Sequence, residues 1–433
     1  MGKIKSWGNY PKVTATSVTI SETDRLKSVL KEVDDVISFG NGRSYGDSAL
    51  NDTVICIKPK NYFLNFDAAN GLLHLQAGAL LSEVLEFSVP RGWFLKVSPG
   101  TKLITIGGAI ASDIHGKNHH VEGCFSECVA MLNLLLPNGE IVSCSKTQNV
   151  DLFRATCGGM GLTGVILDAK IYLKKIKSRF IEQKTIKTKN LKETFEAFEK
   201  YKDQPYSVAW IDCLAKNKKM GRSLLMVGDF SKDGRLDFIP KKKVNIPFYF
   251  PSFVLNTLSV KIFNMFYYKK ARSGISDQLV DFEAFFYPLD SINNWNRIYG
   301  KNGFTQYQFI LPKKNSFEGL EEILKTIAES GKGSFLSVLK LYGKENENYL
   351  SFPIEGYSLA LDFKIEKGLF GLLDRLDEIV INKGGRIYLA KDARVSKEIF
   401  EQGYPRIEIF RNLRKQYKMH EKFNSKQSKR LGI

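Results

Sequence analysis

Three glycine-dense turns between residues 40 and 164 constrain this chain more than any other feature. The first is Gly40-Asn41-Gly42-Arg43-Ser44-Tyr45-Gly46-Asp47. The second is Pro99-Gly100-Thr101, leading to Thr105-Ile106-Gly107-Gly108-Ala109 and Ser112-Asp113-Ile114-His115-Gly116. The third is Gly158-Gly159-Met160-Gly161-Leu162-Thr163-Gly164. Glycine tolerates positive φ and lets a backbone N–H approach a ligand closely. Successive N–H groups in such turns form concave anion sites, and several around one anion imply an extended phosphate such as a pyrophosphate. The spacing excludes two common devices. Gly40-x-Gly42-x-x-x-Gly46 departs from GxGxxG, and no convincing helix with an acidic residue about 20 positions on follows it. No GK[ST] follows either, so the turn is not a P-loop.

Around these turns short strands and helices alternate. Glu22 to Val33 predicts a helix capped by Ser21, with Asp24 in its first turn. Val36 to Phe39, Val54 to Ile57, Leu72 to Gln76 and Val165 to Leu173 predict strands, and Leu81 to Phe87 and Leu152 to Ala155 predict helices. Pro137-Asn138-Gly139 predicts the turn of a hairpin formed by Ala130 to Leu136 and Glu140 to Cys144. Past about Lys175 the composition shifts. Helical patterns at Leu191 to Lys202 and Leu320 to Ser330 mix with antiparallel-looking strands at Ser207 to Cys213, Ser223 to Val227, Gln306 to Ile310, Ser334 to Leu341 and Ser358 to Phe363. The pattern is that of an α+β second domain, and 433 residues exceed what one core usually holds.

The formal net charge is +18, from 64 Lys and Arg against 46 Asp and Glu. A surplus of this size attracts polyanions: nucleic acid, anionic lipid or a phosphorylated substrate. The basic residues are scattered (Lys241 to Lys243, Lys269 to Arg272, Lys426 to Arg430) and no nucleic-acid motif accompanies them, which suits a surface field better than a docking arm. The six cysteines, Cys56, Cys124, Cys128, Cys144, Cys157 and Cys213, form no CxxC pair, and buried reduced thiols are expected. His115, His119 and His120 have no Asp, Glu or Cys set to complete a metal site, so no metal is expected. The start, MGKIKSWGNYPK, lacks the apolar core of a secretory signal, and no stretch is apolar enough to span a bilayer. Ile246 to Tyr268 is the most aromatic zone, and reads as a half-buried loop and amphipathic helix able to touch a lipid surface.

FGNGRSYGDSAL, PGTKLITIGGAIASDIHGKNHH and ATCGGMGLTGVI resemble the flavin-binding signatures of the vanillyl-alcohol oxidase/p-cresol methylhydroxylase superfamily. GRSYGD, DIHGKNHH, GFTQYQF, SFPIEGY and IYLAKDAR together resemble the decaprenylphosphoryl-β-D-ribose 2-oxidase family. The likeness runs from about Trp7 to the C-terminus and weakens at about Asp229 to Lys270. It implies a two-domain α+β fold of the p-cresol methylhydroxylase type, with an inserted substrate domain built on an antiparallel sheet. Residues 1–175 would form the FAD-binding domain and 176–385 the substrate domain. Residues 386–433 would be a return segment completing the first.

The resemblance also implies residue roles. Phe39 through Ala49 (the first turn plus Ser48 and Ala49) would wrap the pyrophosphate and ribityl chain of FAD. Gly100, Thr105, Ile106, Gly107, Gly108, Ser112, Asp113, Ile114 and His115 would line the flavin. Ile166 would meet the adenine side through its backbone, and Tyr388 would contact the flavin from the returning segment. The flavin would be held non-covalently, with His115 a neighbour. Flavin oxidation of an alcohol needs the C–H facing the flavin, an acceptor for the hydroxyl proton and a cation or dipole near the reduced ring. Lys391 is the candidate cation, with partial desolvation lowering its pKa toward that of a base. Tyr45 is a second catalytic candidate, and which of the two takes the proton stays open. Lys117, Trp210, Gln306, Gln308 and Lys340 would line the substrate pocket. Gln306 and Gln308 share one strand face, and Lys340 suits a phosphate diester.

Two positions depart from the family. Ala360 stands where mycobacterial members carry a cysteine, which implies insensitivity to inhibitors that modify that thiol. Phe286 replaces a tyrosine in the FYHPLD-type motif. The implied reaction is oxidation at C2' of a polyprenyl-phospho-ribose to the 2'-keto sugar. A separate NAD(P)H-dependent short-chain reductase would complete epimerisation to the arabinose lipid. The enzyme would be cytoplasmic and peripheral to the inner membrane, with no nucleic-acid partner. The rival readings are another FAD-dependent sugar or aldonolactone oxidase, and a basic nucleic-acid-binding protein.

Overall fold

The computed structural model describes residues 2–238, 243–271 and 274–433. Of the basic clusters, Lys241, Lys242 and Arg272 lie outside the described residues. Among the rest, three sheets carry the architecture. The first has the order Gly2–Lys5, Lys12–Thr19, Thr53–Cys56, Val36–Phe39, and its last three strands are parallel. Val36, Ile37, Val54 and Ile55 are fully buried, as strands covered on both faces require. The crossover helix Thr23–Glu32 buries Leu26, Val29 and Leu30, spaced i, i+3, i+4. Its N-cap is Glu22, with no side-chain cap bond, one residue past the expected Ser21. The Ser21 carbonyl instead accepts from Lys60 Nζ at 3.1 Å.

The second sheet is antiparallel, in the order Phe63–Asp67, Leu72–Gln76, Val165–Lys175, Val129–Leu135, Ile141–Cys144, and Trp93–Leu95 pairs with the far end of Val165–Lys175. The hairpin turns at Gly139, whose φ of 85° selects glycine. The third sheet has eight antiparallel strands. Their order is Ile275–Asp281, Phe180–Thr188, Ser223–Phe230, Tyr206–Ile211, Ser337–Tyr342, Gly356–Lys364, Phe304–Pro312, Arg386–Ile387. The helices Leu191–Lys200, Ser316–Ser330 and Leu369–Asn382 pack against it. Ser316–Ser330 buries Leu320, Ile323, Leu324 and Ile327.

The chain then returns to the first sheet. Phe423 bridges to Val36 in parallel, and the N–H groups of Asn424 and Lys426 donate to Val36 O at 2.9 Å and Leu50 O at 2.7 Å. Arg414, 1% exposed, donates to Leu162 O in the third glycine turn and to Phe423 O and Asn424 Oδ1.

The helix Thr257–Lys270, within the aromatic zone read as an amphipathic helix, turns an apolar stripe outward. It packs inward through Val260 and Asn264, whose amide donates to Asp212 Oδ1 at 2.8 Å. Leu258, Ile262 and Phe266, spaced by four on one face, are exposed by 66%, 44% and 63%. No helix among the described residues is long and apolar enough to cross a membrane.

Candidate active site

The glycine turns and the open face of the eight-stranded sheet enclose one cavity of about 430 Å³. Its first wall is backbone. The N–H groups of the half-buried Gly40, Asn41, Gly42, Arg43 and Ser44 donate to no protein acceptor among the described residues, which leaves them available to a bound ligand. A Cβ on Gly40 would lie 2.5 Å from Thr105 Oγ1, and Gly42 has φ +61°. The first and second turns therefore meet at a point that only glycine fits. Met160, Gly161 and Gly164 bring the third turn to the same cavity, together with Ile166. Thr105 caps the short helix Ile106–Ala111 by accepting from Gly108 N at 3.1 Å.

The second wall is a row across the sheet. Trp210 pairs with Val338, Val338 with Ala360, and Ala360 with Gln308. Residues directly opposite in a ladder share a face, and all four border the cavity. Two residues along, Gln306 and Asp362 are opposite one another, and Gln306 Nε2 donates to Asp362 Oδ1 at 2.5 Å. Tyr307, between the glutamines, points the other way, where Asp377 and Arg394 act on its hydroxyl. Trp210 is fixed by its indole N–H, which donates to Phe335 O at 3.0 Å, and by a 4.9 Å ring contact with Tyr267.

Three lysines project into this space. Lys391 Nζ sits 3.8 Å from the Tyr45 ring centroid. Burial pushes its ammonium down, Asp362 opposes the shift and Lys340 adds to it. Burial conversely pushes the Asp362 carboxyl up, against the Gln306 hydrogen bond and Lys391. Lys117 is lowered to about 7 by burial and by Lys340. Its ammonium donates to Phe285 O. Lys340 is lowered to about 8 by burial. Burial, then Asp362, raise the Tyr45 hydroxyl. His115 is buried and held well below its ordinary pKa by burial, with Lys340 adding, so it is neutral. Gln308 Nε2 approaches its Nε2 at 3.0 Å, its Nδ1 has no partner, and Tyr342, Phe352 and Tyr388 surround its ring.

Most expected site residues border the cavity, including Lys391, Tyr45, Lys117, Trp210, Gln306, Gln308, Lys340, Tyr388 and Ile166. Phe39, Gly46, Asp47, Ile106 and Asp113 stand behind it. Gly46 abuts the Lys391 turn: a Cβ there would fall 1.6 Å from Asp392 O. Asp47 is held by Arg430 at 2.9 Å. Ile106 is core. Asp113 is a buried hub that accepts from Ser126 N, Asn346, Asn348 and Ser351. Arg43, expected at the pyrophosphate, stacks its guanidinium 4.1 Å from the Trp7 ring; sequence reasoning missed Asp362 and Asp290, which accepts from Thr101 Oγ1 and Lys102 N at 2.8 Å. Only the strand register reveals Asp362: an acid opposite an in-facing glutamine shares its face. Among the described residues no group of His, Cys, Asp and Glu is arranged to hold a metal.

A family profile described as an FAD binding domain matches residues 16–145. Decaprenylphosphoryl-β-D-ribose oxidase of Mycolicibacterium smegmatis is 34% identical, with 100% of this chain and 97% of that protein aligned. An uncharacterized protein of Streptomyces coelicolor is 26% identical over 82% of this chain and 100% of its own. L-gulonolactone oxidase of Mus musculus is 26% identical over 38% of this chain and 37% of its own. The cradle fits such a cofactor. Unpaired N–H groups in the first turn and buried, unpartnered Arg43 Nε and Ser38 Oγ are donors suited to a dinucleotide diphosphate.

Proposed function

The chain belongs to the decaprenylphosphoryl-β-D-ribose oxidase family and is an FAD-dependent oxidoreductase acting on a CH–OH group, and from that premise we propose its substrate, its product and the part each residue plays. It oxidises the C2' hydroxyl of a polyprenyl-phospho-β-D-ribose to the 2'-keto sugar. The carrying observation is the juxtaposition of two walls in one cavity: unpaired backbone donors on one side, and a polar row with three desolvated lysines on the other.

In this reading FAD, when bound, would supply the hydride acceptor, and the chain's own residues do the rest. Residues Gly40 to Ser44 hold the diphosphate through their N–H groups. Gly100, Thr105, Gly107, Gly108, Ser112, Ile114 and Tyr388 would flank the ring, and His115 would be a neutral neighbour with no covalent link to it. Gln306 and Gln308 orient the sugar, while Lys117 and Lys340 attract its phosphodiester. Lys391 or Tyr45 takes the hydroxyl proton, and a lysine already lowered by burial needs little further driving force to do so. Phe39, Gly46, Asp47, Ile106 and Asp113 shape the cradle from behind.

Residues 1–175 and 386–433 make the FAD domain, and 176–385 the inserted substrate domain. The tail contacts to Val36, Leu50 and Leu162 support that division. The enzyme works at the inner face of the cytoplasmic membrane. The outward stripe Leu258, Ile262 and Phe266, with Phe253 75% exposed and Lys261, Lys269 and Lys270 beside it, suits shallow insertion into an anionic interface. Tyr267 on the same helix borders the cavity, so docking there would bring the lipid-borne sugar to its site. A separate NAD(P)H-dependent reductase consumes the keto product. The test is anaerobic mixing of the FAD-loaded protein with a polyprenyl-phospho-β-D-ribose. Flavin absorbance bleaches in one turnover, whereas free ribose and aldonolactones leave it unchanged. Bleaching by the soluble sugars alone would point to the aldonolactone-type activity instead.

A further inference from the structure

The oxidation proposed above releases a proton beside the buried Lys391 and Tyr45. The C–H and O–H bonds break and a C=O bond forms. The C–H electron pair leaves with its hydrogen for FAD, and the hydroxyl proton passes to the protein.

A second, smaller cavity of about 40 Å³ borders Asp362 from elsewhere, with Thr257, Val260, Tyr299, Lys332 and Glu366 around it. It has room for about two or three waters, at roughly 15 Å³ each. Its rim reaches solvent at Glu366, which pairs with Lys332 at 2.8 Å and Lys364 at 3.1 Å. Asp362 is 1% exposed, and its two oxygens differ. Oδ1 accepts from Gln306, which borders the main cavity, while buried Oδ2 has no hydrogen-bond partner. The Tyr299 hydroxyl likewise completes no bond by geometry, yet it stands near enough that it and Asp362 shift each other's ionisation.

We propose that Asp362 relays the substrate's hydroxyl proton from the active site to solvent, through the waters of this second cavity. The inference rests on the oxidase reading above. The proton passes from the hydroxyl to the neutral amine of Lys391, or to Tyr45 as that phenol hands on its own O–H proton, then to the Asp362 carboxylate, then to water and out past Glu366. No other oxidant or co-reactant is needed. The groups that face the carboxyl are Lys391, Tyr45 and Gln306 from the main cavity, Tyr299 beside it, and Ser334 Oγ, which accepts from the Asp362 N–H at 3.0 Å. Burial raises the carboxyl toward neutrality, so it can hold a proton at working pH.

The test follows a single anaerobic turnover of FAD-loaded protein with polyprenyl-phospho-β-D-ribose in weak buffer. Flavin absorbance and a pH indicator are read together. In the parent, proton appearance keeps pace with bleaching. In Asp362→Asn, bleaching slows about 10²-fold and its pH profile shifts, while Asp362→Glu restores part of both. Val260→Phe fills the second cavity while leaving Asp362 itself unchanged, and proton appearance then lags bleaching. A readout independent of turnover is the carboxylic-acid C=O band in the infrared difference spectrum between about pH 6 and about pH 9, present in the parent and absent in Asp362→Asn. Val260→Phe alone decides the matter should the asparagine variant not fold. Simultaneous proton release and bleaching in that variant overturns the relay. A parent whose flavin never bleaches overturns the oxidase reading instead.

Discussion

Arg430→Met tests how the tail of the chain holds the site. Arg430 NH2 lies 2.9 Å from Asp47 Oδ1 and 2.7 Å from Asp392 Oδ2, and its Nε lies 3.2 Å from Asp47 Oδ2. Both carboxylates are buried, 4% and 5% exposed. One cation therefore ties the first glycine turn to the residue beside Lys391. Removing it leaves two buried carboxylates unpaired, at a cost of about 3–5 kcal/mol. With roughly 2.1 cal/mol/K per residue at the midpoint, 433 residues unfolding together convert that cost to a Tm drop of about 3–6 °C. The pH dependence carries the signature. In the parent, burial raises Asp392, but Arg430 and the N–H groups of Arg394 and Val395 outweigh it and leave the carboxyl below its ordinary value. That contribution is present above the unfolded pKa and is lost as pH falls through the folded one. In the variant both carboxyls rise, so the penalty stands at neutral pH and is relieved as acid protonates one of them. Scanning calorimetry of parent and variant should therefore show a deficit that is largest near pH 7 and narrows below about pH 5. FAD should also dissociate more readily. A deficit independent of pH would refute the electrostatic argument, and an unchanged Tm would refute the clasp altogether.

Other expectations follow from the same geometry. Lys391→Met should keep bound flavin but slow its reduction by substrate about 10²–10⁴-fold, read by stopped flow. Gly40→Ala should purify without flavin, since its Cβ would sit 2.5 Å from Thr105 Oγ1; full flavin content would contradict the cradle. Lys117 and Lys340, lowered to about 7 and about 8, are cations below those values and neutral above them. Substrate affinity should accordingly fall as pH rises from about 6 to about 9, as KM profiles would show. Iodoacetamide should leave turnover intact, because Ala360 replaces the pocket thiol, five of the six cysteines are buried and burial lifts Cys128 to about 12. Leu258→Ser with Phe266→Ser should abolish flotation with anionic vesicles while leaving flavin content unchanged.

The glycine turns were legible because positive φ and close backbone approach leave a residue-level mark. The strands Ser223–Phe230 and Gly356–Lys364 were legible because they are apolar runs buried in mid-sheet. Lys12–Thr19, Phe180–Thr188 and Ile275–Asp281 were not, since their Thr, Lys and Asp residues carry little hydrophobic signal and two of the three are largely exposed. Their strand identity comes from pairing, for example eight consecutive registers between Ile181–Thr188 and Ser223–Phe230. The helix Leu369–Asn382 was missed although its Leu372, Leu373, Leu376 and Val380 pattern was there to read. Asp113 illustrates the other failure: it stands inside a flavin signature, yet its carboxylate turns away to gather four partners. Which way a side chain in a tight turn points depends on its φ, here +37°, and no motif encodes that. Asp362 was overlooked because an acid on a strand looks solvent-facing until its cross-strand partner is known.

The most direct measurement uses a polyprenyl-phospho-ribose carrying deuterium on the C2' carbon. The account predicts that FAD bleaching slows relative to the unlabelled lipid and that the recovered lipid has lost its deuterium along with the hydroxyl hydrogen. Bleaching at an unchanged rate, with deuterium retained in the product, would contradict it.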